Sequence, residues 1–129
     1  MGMRIESHRD LRVWQLSMRL AADIELLAAS FPAHERYGLA SQLRRSAASI
    51  PSNIAEGWAR PTRAYLNHLS IALGSEAELK TQLELAVKMK LVAQPIAEPL
   101  LSTASEVGRV LRGLSKSLKA HLARTVPDP

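Results

Sequence analysis

The sequence has no cysteine, few aromatic residues and no long apolar run. Without cysteine there is neither a disulfide nor a thiolate metal site. Only five aromatic side chains occur in 129 residues, which argues against base stacking as the main way of holding a single-stranded nucleic acid. No run of about 18 uncharged apolar residues predicts a transmembrane helix. The N-terminus also lacks the pattern of a signal peptide, so we expect a cytoplasmic protein without a membrane partner.

The recognisable motifs of catalysis and metal binding are missing too. The histidines, at positions 8, 34, 68 and 121, share no common spacing. None belongs to a Glu-x-x-His or His-Glu-x-x-His pattern, and there is no phosphate-binding glycine loop and no Gly-x-Ser-x-Gly. Glu76 and Glu78 are two residues apart and point to different sides of a helix. The sequence therefore predicts no enzyme activity, no metal and no cofactor.

What the sequence does have is a moderate excess of positive charge. Seventeen lysines and arginines against twelve acidic residues give a net charge of +5. The two halves of the chain, residues 1–64 and 65–129, carry +3 and +2, so neither end is a basic tail. A balance of this kind favours a polyanionic partner. The length fits one domain with a single core.

The clearest helical pattern lies in residues 37–60. Apolar side chains recur there at steps of three and four, which draws one stripe along a helix. Pro51 lies inside this stripe, and a proline removes one backbone hydrogen bond and crowds the carbonyl four residues back, here that of Ala47. We expect one helix with a kink near Pro51, ending near Trp58.

Three further helices are predicted from the same kind of spacing. The first runs from near 7–10 to Ala29, the third over about 63–92, and the fourth from 95–98 to 122–124. We expect Trp14 to be buried between helices. At Gly74 we favour close approach by a neighbouring helix over the alternative, a simple loss of helix propensity. The prediction is an all-α, antiparallel up-down-up-down four-helix bundle over residues 10–124, with an arm at 1–9 and a tail at 125–129.

A cationic ridge on the fourth helix is the most specific surface feature. It comprises Arg109, Arg112, Lys116 and Lys119, at steps of three, four and three. At about 100° per residue these side chains cover one side of the helix. The opposite side is apolar: Val107, Leu111, Leu114, Leu118 and Leu122. Such a ridge could follow a phosphate backbone, or it could be an ordinary solvated face, since cations are favoured near a helix C-terminus.

Arg44 and Arg45 form a second cationic feature, in the middle of the second helix. Neighbouring residues on a helix point about 100° apart, so the two cannot share one contact. We expect one of them to pair with a carboxylate of the bundle, such as Glu56, Glu76 or Glu78, and the other to face solvent or a second subunit. Asn53, close to Glu56, is expected to serve the backbone around Pro51 and not a catalytic site.

The same stretch resembles a known family. Residues 41–60 read SQLRRSAASIPSNIAEGWAR, and with residues 10–14, 31–39 and 72–79 they resemble the four-helix-bundle proteins encoded in intervening sequences of bacterial large-subunit ribosomal RNA genes. The accessory variability protein of diversity-generating retroelements looks like a branch of that family. The resemblance covers residues 10–92 well and the last third of the chain only in pattern.

The resemblance implies a homo-oligomer, pentameric in known cases, and for the retroelement branch it implies partners of two kinds, a nucleic acid and a reverse transcriptase. Together with the charge pattern, it leads us to expect a non-enzymatic accessory factor that binds RNA or DNA. Its binding residues would be Arg44, Arg45, Arg109, Arg112, Lys116 and Lys119. The alternative is a scaffold for protein–protein interaction without a nucleic-acid partner. An enzyme is the third hypothesis and would need a perturbed carboxylate or histidine in a cavity.

Overall fold

Four α-helices account for most of residues 4–125, which the computed structural model describes. The helices are α1 (Arg12–Ala29), α2 (Leu39–Trp58), α3 (Thr62–Lys88) and α4 (Gln94–Thr125). Short 3₁₀ turns precede α1 at His8–Asp10 and α2 at Ala33–Glu35. The described part of the chain has no strand, which confirms the all-α prediction. Residues 1–3 of the predicted arm and 126–129 of the predicted tail lie outside the described residues.

The helices pack as a four-membered bundle in which each contacts the next and α4 returns to α1. Side chains define the direction of α2 against α3: Ser46 Oγ donates to Gln82 Oε1 at 2.7 Å, and Asn53 Oδ1 lies 3.0 Å from His68 Nδ1. A later residue of α2 thus meets an earlier residue of α3, so these helices are antiparallel. Connections of nine, three and five residues join the consecutive helices. Short connections between neighbours are those of an up-down-up-down bundle.

The core is aliphatic and lies along the bundle axis. Its largest side chains with almost no exposure are Leu20, Ile24, Leu43, Ile50, Ile54, Leu69, Leu79, Leu83, Val107 and Leu111. Trp14 is half-buried against this core, with its ring at the edge of His8 and a centroid distance of 5.1 Å. The expectation that Trp14 is enclosed between helices is therefore wrong. The aliphatic residues fill the axis and leave the indole at the periphery.

Pro51 lies within α2, which continues as one helix through it to Trp58. Ser52 Oγ donates to the carbonyl of Ala48 at 2.8 Å, and Asn53 Nδ2 donates to the carbonyl of Ser49 at 2.8 Å. These side chains therefore do serve the backbone beside the proline. Their acceptors are Ala48 and Ser49, and not Ala47 as we expected. The kink itself stays a prediction.

The ends of α3 and α4 differ from the sequence prediction. α3 stops at Lys88, four residues early, because Lys90 adopts a left-handed backbone with φ of 61°. The amides of Lys90 and Leu91 donate to the carbonyls of Val87 and Ala86, which closes the helix in a Schellman motif. At the other connection, α4 begins at Gln94 and includes Pro99.

The close helix approach expected at Gly74 is found at other glycines. A Cβ on Gly74 would meet nothing within 4 Å. A Cβ on Gly57 would lie 2.7 Å from the Tyr65 ring, and one on Gly108 would lie 2.8 Å from Glu76 Oε1. The prediction for Gly74 is wrong because this residue faces away from the neighbouring helices. The Gly108 contact instead lets α4 approach the buried Glu76 of α3.

Candidate nucleic-acid interface

A groove between the N-terminal half of α3 and the C-terminal half of α4 brings predicted site residues together. Its volume is about 520 Å³, within the range of ligand sites, roughly 300–1,000 Å³. We call it the basic groove. It is lined by Leu66, Asn67, Ser70 and Leu73 of α3 and by Arg112, Ser115, Lys116 and Lys119 of α4.

The register between α3 and α4 explains why a groove forms at this level. Glu76 of α3 lies beside Gly108 of α4, and this pair of residues shows the register. Six residues back along α3 is Ser70, and seven residues forward along α4 is Ser115, so two small side chains come level with each other. Where two helices present small residues at the same level, their side chains do not fill the space between them, and a depression remains.

The apolar stripe of α4 orients the cations of the groove. Val107 and Leu111 are buried and Leu114 is half-buried, as the sequence predicted. Residues three and four apart share a face of a helix, so anchoring this stripe fixes the direction of the others. Arg112 and Lys116 consequently lie exposed at the edge of the groove.

The three cations of the groove are not neutralised by carboxylates. Within residues 4–125, Arg112, Lys116 and Lys119 form no ion pair. Two carboxylates of α3 and α4 pair with other cations: Glu76 Oε1 lies 2.9 Å from Lys80 Nζ, and Glu106 Oε1 lies 2.8 Å from an Arg12 guanidinium nitrogen. The cations therefore keep their full charge towards solvent, which is the condition for attracting a polyanion.

Charge is unevenly divided between this part of the bundle and the remainder. Residues 57–75 and 107–125 contain seven of the 17 basic side chains and none of the twelve acidic ones. The rest of the chain carries ten basic and twelve acidic side chains, a net charge of −2. The positive charge of the protein is thus concentrated in the two helix segments that form the basic groove, and three of the seven cations line it. Among residues 4–125, Arg60 is the only one of the seven with a carboxylate close by, that of Glu56 at 3.8 Å.

The other predicted site residues lie elsewhere. Arg44 Nε donates to both carboxylate oxygens of Glu25 at 3.0 Å, so pairing is confirmed, but with α1 and not with Glu56, Glu76 or Glu78. Arg45 is exposed at a separate polar groove between α2 and α3. Arg109 is exposed on α4 and does not line the basic groove. The six predicted residues therefore do not form one surface.

Polar side chains between α2 and α3 form a structural seam. Ser75 Oγ donates to Ser49 Oγ at 2.8 Å, and Ser49 Oγ also accepts from Asn53 at 3.1 Å. These groups satisfy one another, as expected for polar atoms inside a bundle. No group of three or more histidines, cysteines or acidic residues in residues 4–125 is arranged to hold a metal ion.

Sequence reasoning missed the α3 wall of the basic groove. Asn67, Ser70 and the leucines beside them carry no charge, and their proximity to α4 depends on how the helices are aligned. Arg63 was missed as well, although it lies on the same face of α3 as Leu66 and Asn67. The sequence does carry one sign of this wall, because residues 57–75 and 107–125 contain no acidic residue. That sign can be interpreted only once α3 and α4 are known to be antiparallel neighbours.

The chain is therefore a four-helix bundle that carries a basic groove, and the cations of this groove all lie on its α4 side. The family model of the 23S rRNA-intervening sequence protein matches residues 9–113, and the chain belongs to this family. A search of curated proteins finds no match. Among solved structures, the chain is similar to a protein of unknown function from the S23 ribosomal protein family of Bacteroides thetaiotaomicron. The two are 24% identical with a TM-score of 0.76, over 81% of this chain and 95% of the other. At that identity the likeness concerns the fold.

None of the helices within residues 4–125 is long and apolar enough to cross a membrane.

Proposed function

We propose that this protein is a non-enzymatic, cytoplasmic accessory factor that binds RNA or DNA through the basic groove. The observation that carries the proposal is the concentration of unpaired cations at one place. Arg112, Lys116 and Lys119 line the groove, and no acidic residue occurs in the two helix segments that form it. A polyanion gains most from such a surface, because each phosphate that meets a cation releases counterions.

The proposal predicts a defined dependence of affinity on salt. Three phosphate contacts give a slope of log affinity against log salt of about −2 for a single strand and −2.7 for a duplex. Raising the salt from about 50 to 200 mM should then weaken binding roughly 20-fold for a single strand and 40-fold for a duplex. Fluorescence anisotropy with a labelled RNA and a labelled DNA duplex measures this directly.

A matched pair of variants tests where binding occurs. Replacing Arg112, Lys116 and Lys119 with glutamate should abolish binding at low salt. The control replaces three exposed cations at the opposite end of the bundle, Arg36, Lys88 and Lys90, with glutamate, so the net charge changes equally. Equal losses in the two variants would show that overall charge, and not the groove, attracts the nucleic acid. Absence of binding by the unmodified protein at about 50 mM salt would remove the proposal.

Self-association and a protein partner belong to the same proposal. A homo-oligomer, pentameric by family resemblance, would repeat the basic groove around a symmetry axis and multiply its potential. Light scattering coupled to size exclusion measures the number of subunits. A reverse transcriptase is the partner implied by the resemblance to the retroelement branch.

The second candidate function is a scaffold for proteins alone. It is favoured by apolar side chains exposed at the end of the bundle opposite the groove. Leu26 keeps 74% of its surface exposed, Tyr37 89% and Ile96 57%. Large apolar side chains left exposed in this way favour a protein partner. This function predicts partner binding that changes little with salt and is lost on replacing Leu26 with glutamate.

A further inference from the structure

We propose that the basic groove binds single-stranded RNA or DNA in preference to a duplex, with one unpaired nucleotide lying over Leu66 and Leu73. The inference rests on the proposed function and specifies its ligand. It starts from a feature that charge alone does not explain. Two half-buried leucines of α3, Leu66 and Leu73, line the groove, while its cations lie on the α4 side.

A duplex would use only part of this surface. Its outside presents phosphates and sugars, and its bases are stacked and paired inside. It could lie against Arg112, Lys116 and Lys119 but would leave Leu66 and Leu73 in contact with water. An unpaired base has an apolar face and can be turned out of the strand, so it can cover both leucines and remove them from water.

The other lining residues suit the remaining parts of a nucleotide. Asn67 and Ser70 of α3 and Ser115 of α4 offer an amide and two hydroxyls to the edge of a base or to a sugar. Arg112 and Lys119 are seven residues apart, or about 10 Å along the helix, which allows the phosphates on either side of the inserted nucleotide to meet separate cations.

The lining also predicts how selective the groove should be. No aromatic side chain is among the residues that line it, so the base lies against aliphatic carbon and is not stacked. Contact of this kind depends little on which base is present. Binding should therefore prefer unpaired over paired strands by about tenfold, a factor that corresponds to 1.4 kcal/mol, and should discriminate weakly between sequences.

Filling the groove without changing its charge tests the inference. In Ser115→Leu, the larger side chain would occupy the space between the two helices, while every cation stays in place. The matched control is Ser117→Leu, which makes the same substitution on the same helix at an exposed residue outside the groove. Ser70→Leu fills the groove from the α3 side and provides a second variant should Ser115→Leu fail to fold, as judged by circular dichroism.

The assay compares oligo(U), oligo(dT) and a DNA duplex, each about 15 units long, by fluorescence anisotropy at low salt. We expect Ser115→Leu and Ser70→Leu to weaken single-strand binding about tenfold and to leave duplex binding unchanged, while Ser117→Leu behaves as the unmodified protein. A duplex bound as tightly as the single strands, or filling variants that weaken both ligands equally, would overturn the inference and leave the proposed function standing. No binding of any of the three would remove both. Tighter binding of oligo(U) than of oligo(dT) would support the inference with RNA as the strand.

Discussion

Replacing Tyr65 with phenylalanine should stabilise the protein, because the Tyr65 hydroxyl is buried without a hydrogen-bond partner among residues 4–125. The ring of Tyr65 packs closely against its neighbours. It lies against the position where Gly57 has no Cβ, and its centroid is 6.3 Å from that of Trp58 in an edge-to-face arrangement. Phenylalanine keeps these ring contacts. The substitution removes only the hydroxyl, and with it the free-energy cost of burying that hydroxyl without a partner.

The size of the effect follows from that cost. An unsatisfied buried polar group costs about 1–3 kcal/mol, and part of this is recovered when an apolar atom takes its place. We therefore expect Tyr65→Phe to raise the free energy of unfolding by about 1 kcal/mol, measured by urea denaturation near neutral pH. The control is Tyr37→Phe, at a tyrosine that is 89% exposed, which should change nothing measurable.

The same hydroxyl gives the stability a dependence on alkaline pH. Burial raises the pKa of Tyr65 above its ordinary value of 10.0. The folded state then holds the phenolic proton at a pH where the unfolded state loses it, so the contribution of this proton is complete below pH 10 and is lost as the pH rises above it. The advantage of the phenylalanine variant should accordingly grow above pH 10. A variant less stable than the unmodified protein, or an advantage that stays constant with pH, would refute the reasoning.

Two further predictions concern backbone positions. Gly74→Ala should stabilise α3 by about 1 kcal/mol, since alanine favours a helix and its methyl would meet nothing. Gly57→Ala should destabilise the protein by about 1–3 kcal/mol, because its methyl would overlap Tyr65 and His68. Thermal unfolding distinguishes the two variants, and a destabilising Gly74→Ala would show that this face of α3 is covered. Lys90→Gly should stabilise by about 1 kcal/mol, because glycine adopts the left-handed backbone of this residue without strain. Urea denaturation measures it, with Lys88→Gly, at the last residue of α3, expected to destabilise by less than about 1 kcal/mol.

The helices could be predicted because their signals are local. Apolar residues at steps of three and four identify α2 from the sequence, and α2 continues through Pro51 to Trp58. The end of α3 could not be predicted in the same way. A Schellman motif is recognised by a glycine in the left-handed position, and here that position holds Lys90. With no glycine to mark the stop, the apolar pattern continues to residue 92.

Pairing between helices was predicted less well than the helices themselves. Arg44 was expected to find a partner among Glu56, Glu76 and Glu78, but it reaches across to Glu25 of α1. Which carboxylate lies beside which arginine depends on the register of two helices, and register is set by the packing of many side chains together. Gly74 was misjudged for the same reason. A glycine allows close approach only where a neighbour is present, and spacing along one helix does not show where the neighbour lies.

The basic groove illustrates how local and tertiary information combine. Dividing the chain at its midpoint gives two halves of similar charge and conceals the asymmetry. In the bundle the charge is distributed differently. The antiparallel pairing of α3 and α4 places residues 57–75 beside residues 107–125, and both of these segments lack acidic residues. Residues 57–75 carry two of the seven cations, and residues 107–125 carry five. Side by side they carry an excess of positive charge that the rest of the molecule, with a net charge of −2, does not share. The potentials of like charges add within about one Debye length, near 10 Å. Cations that are far apart in the sequence therefore attract a polyanion together once the fold places them at one groove.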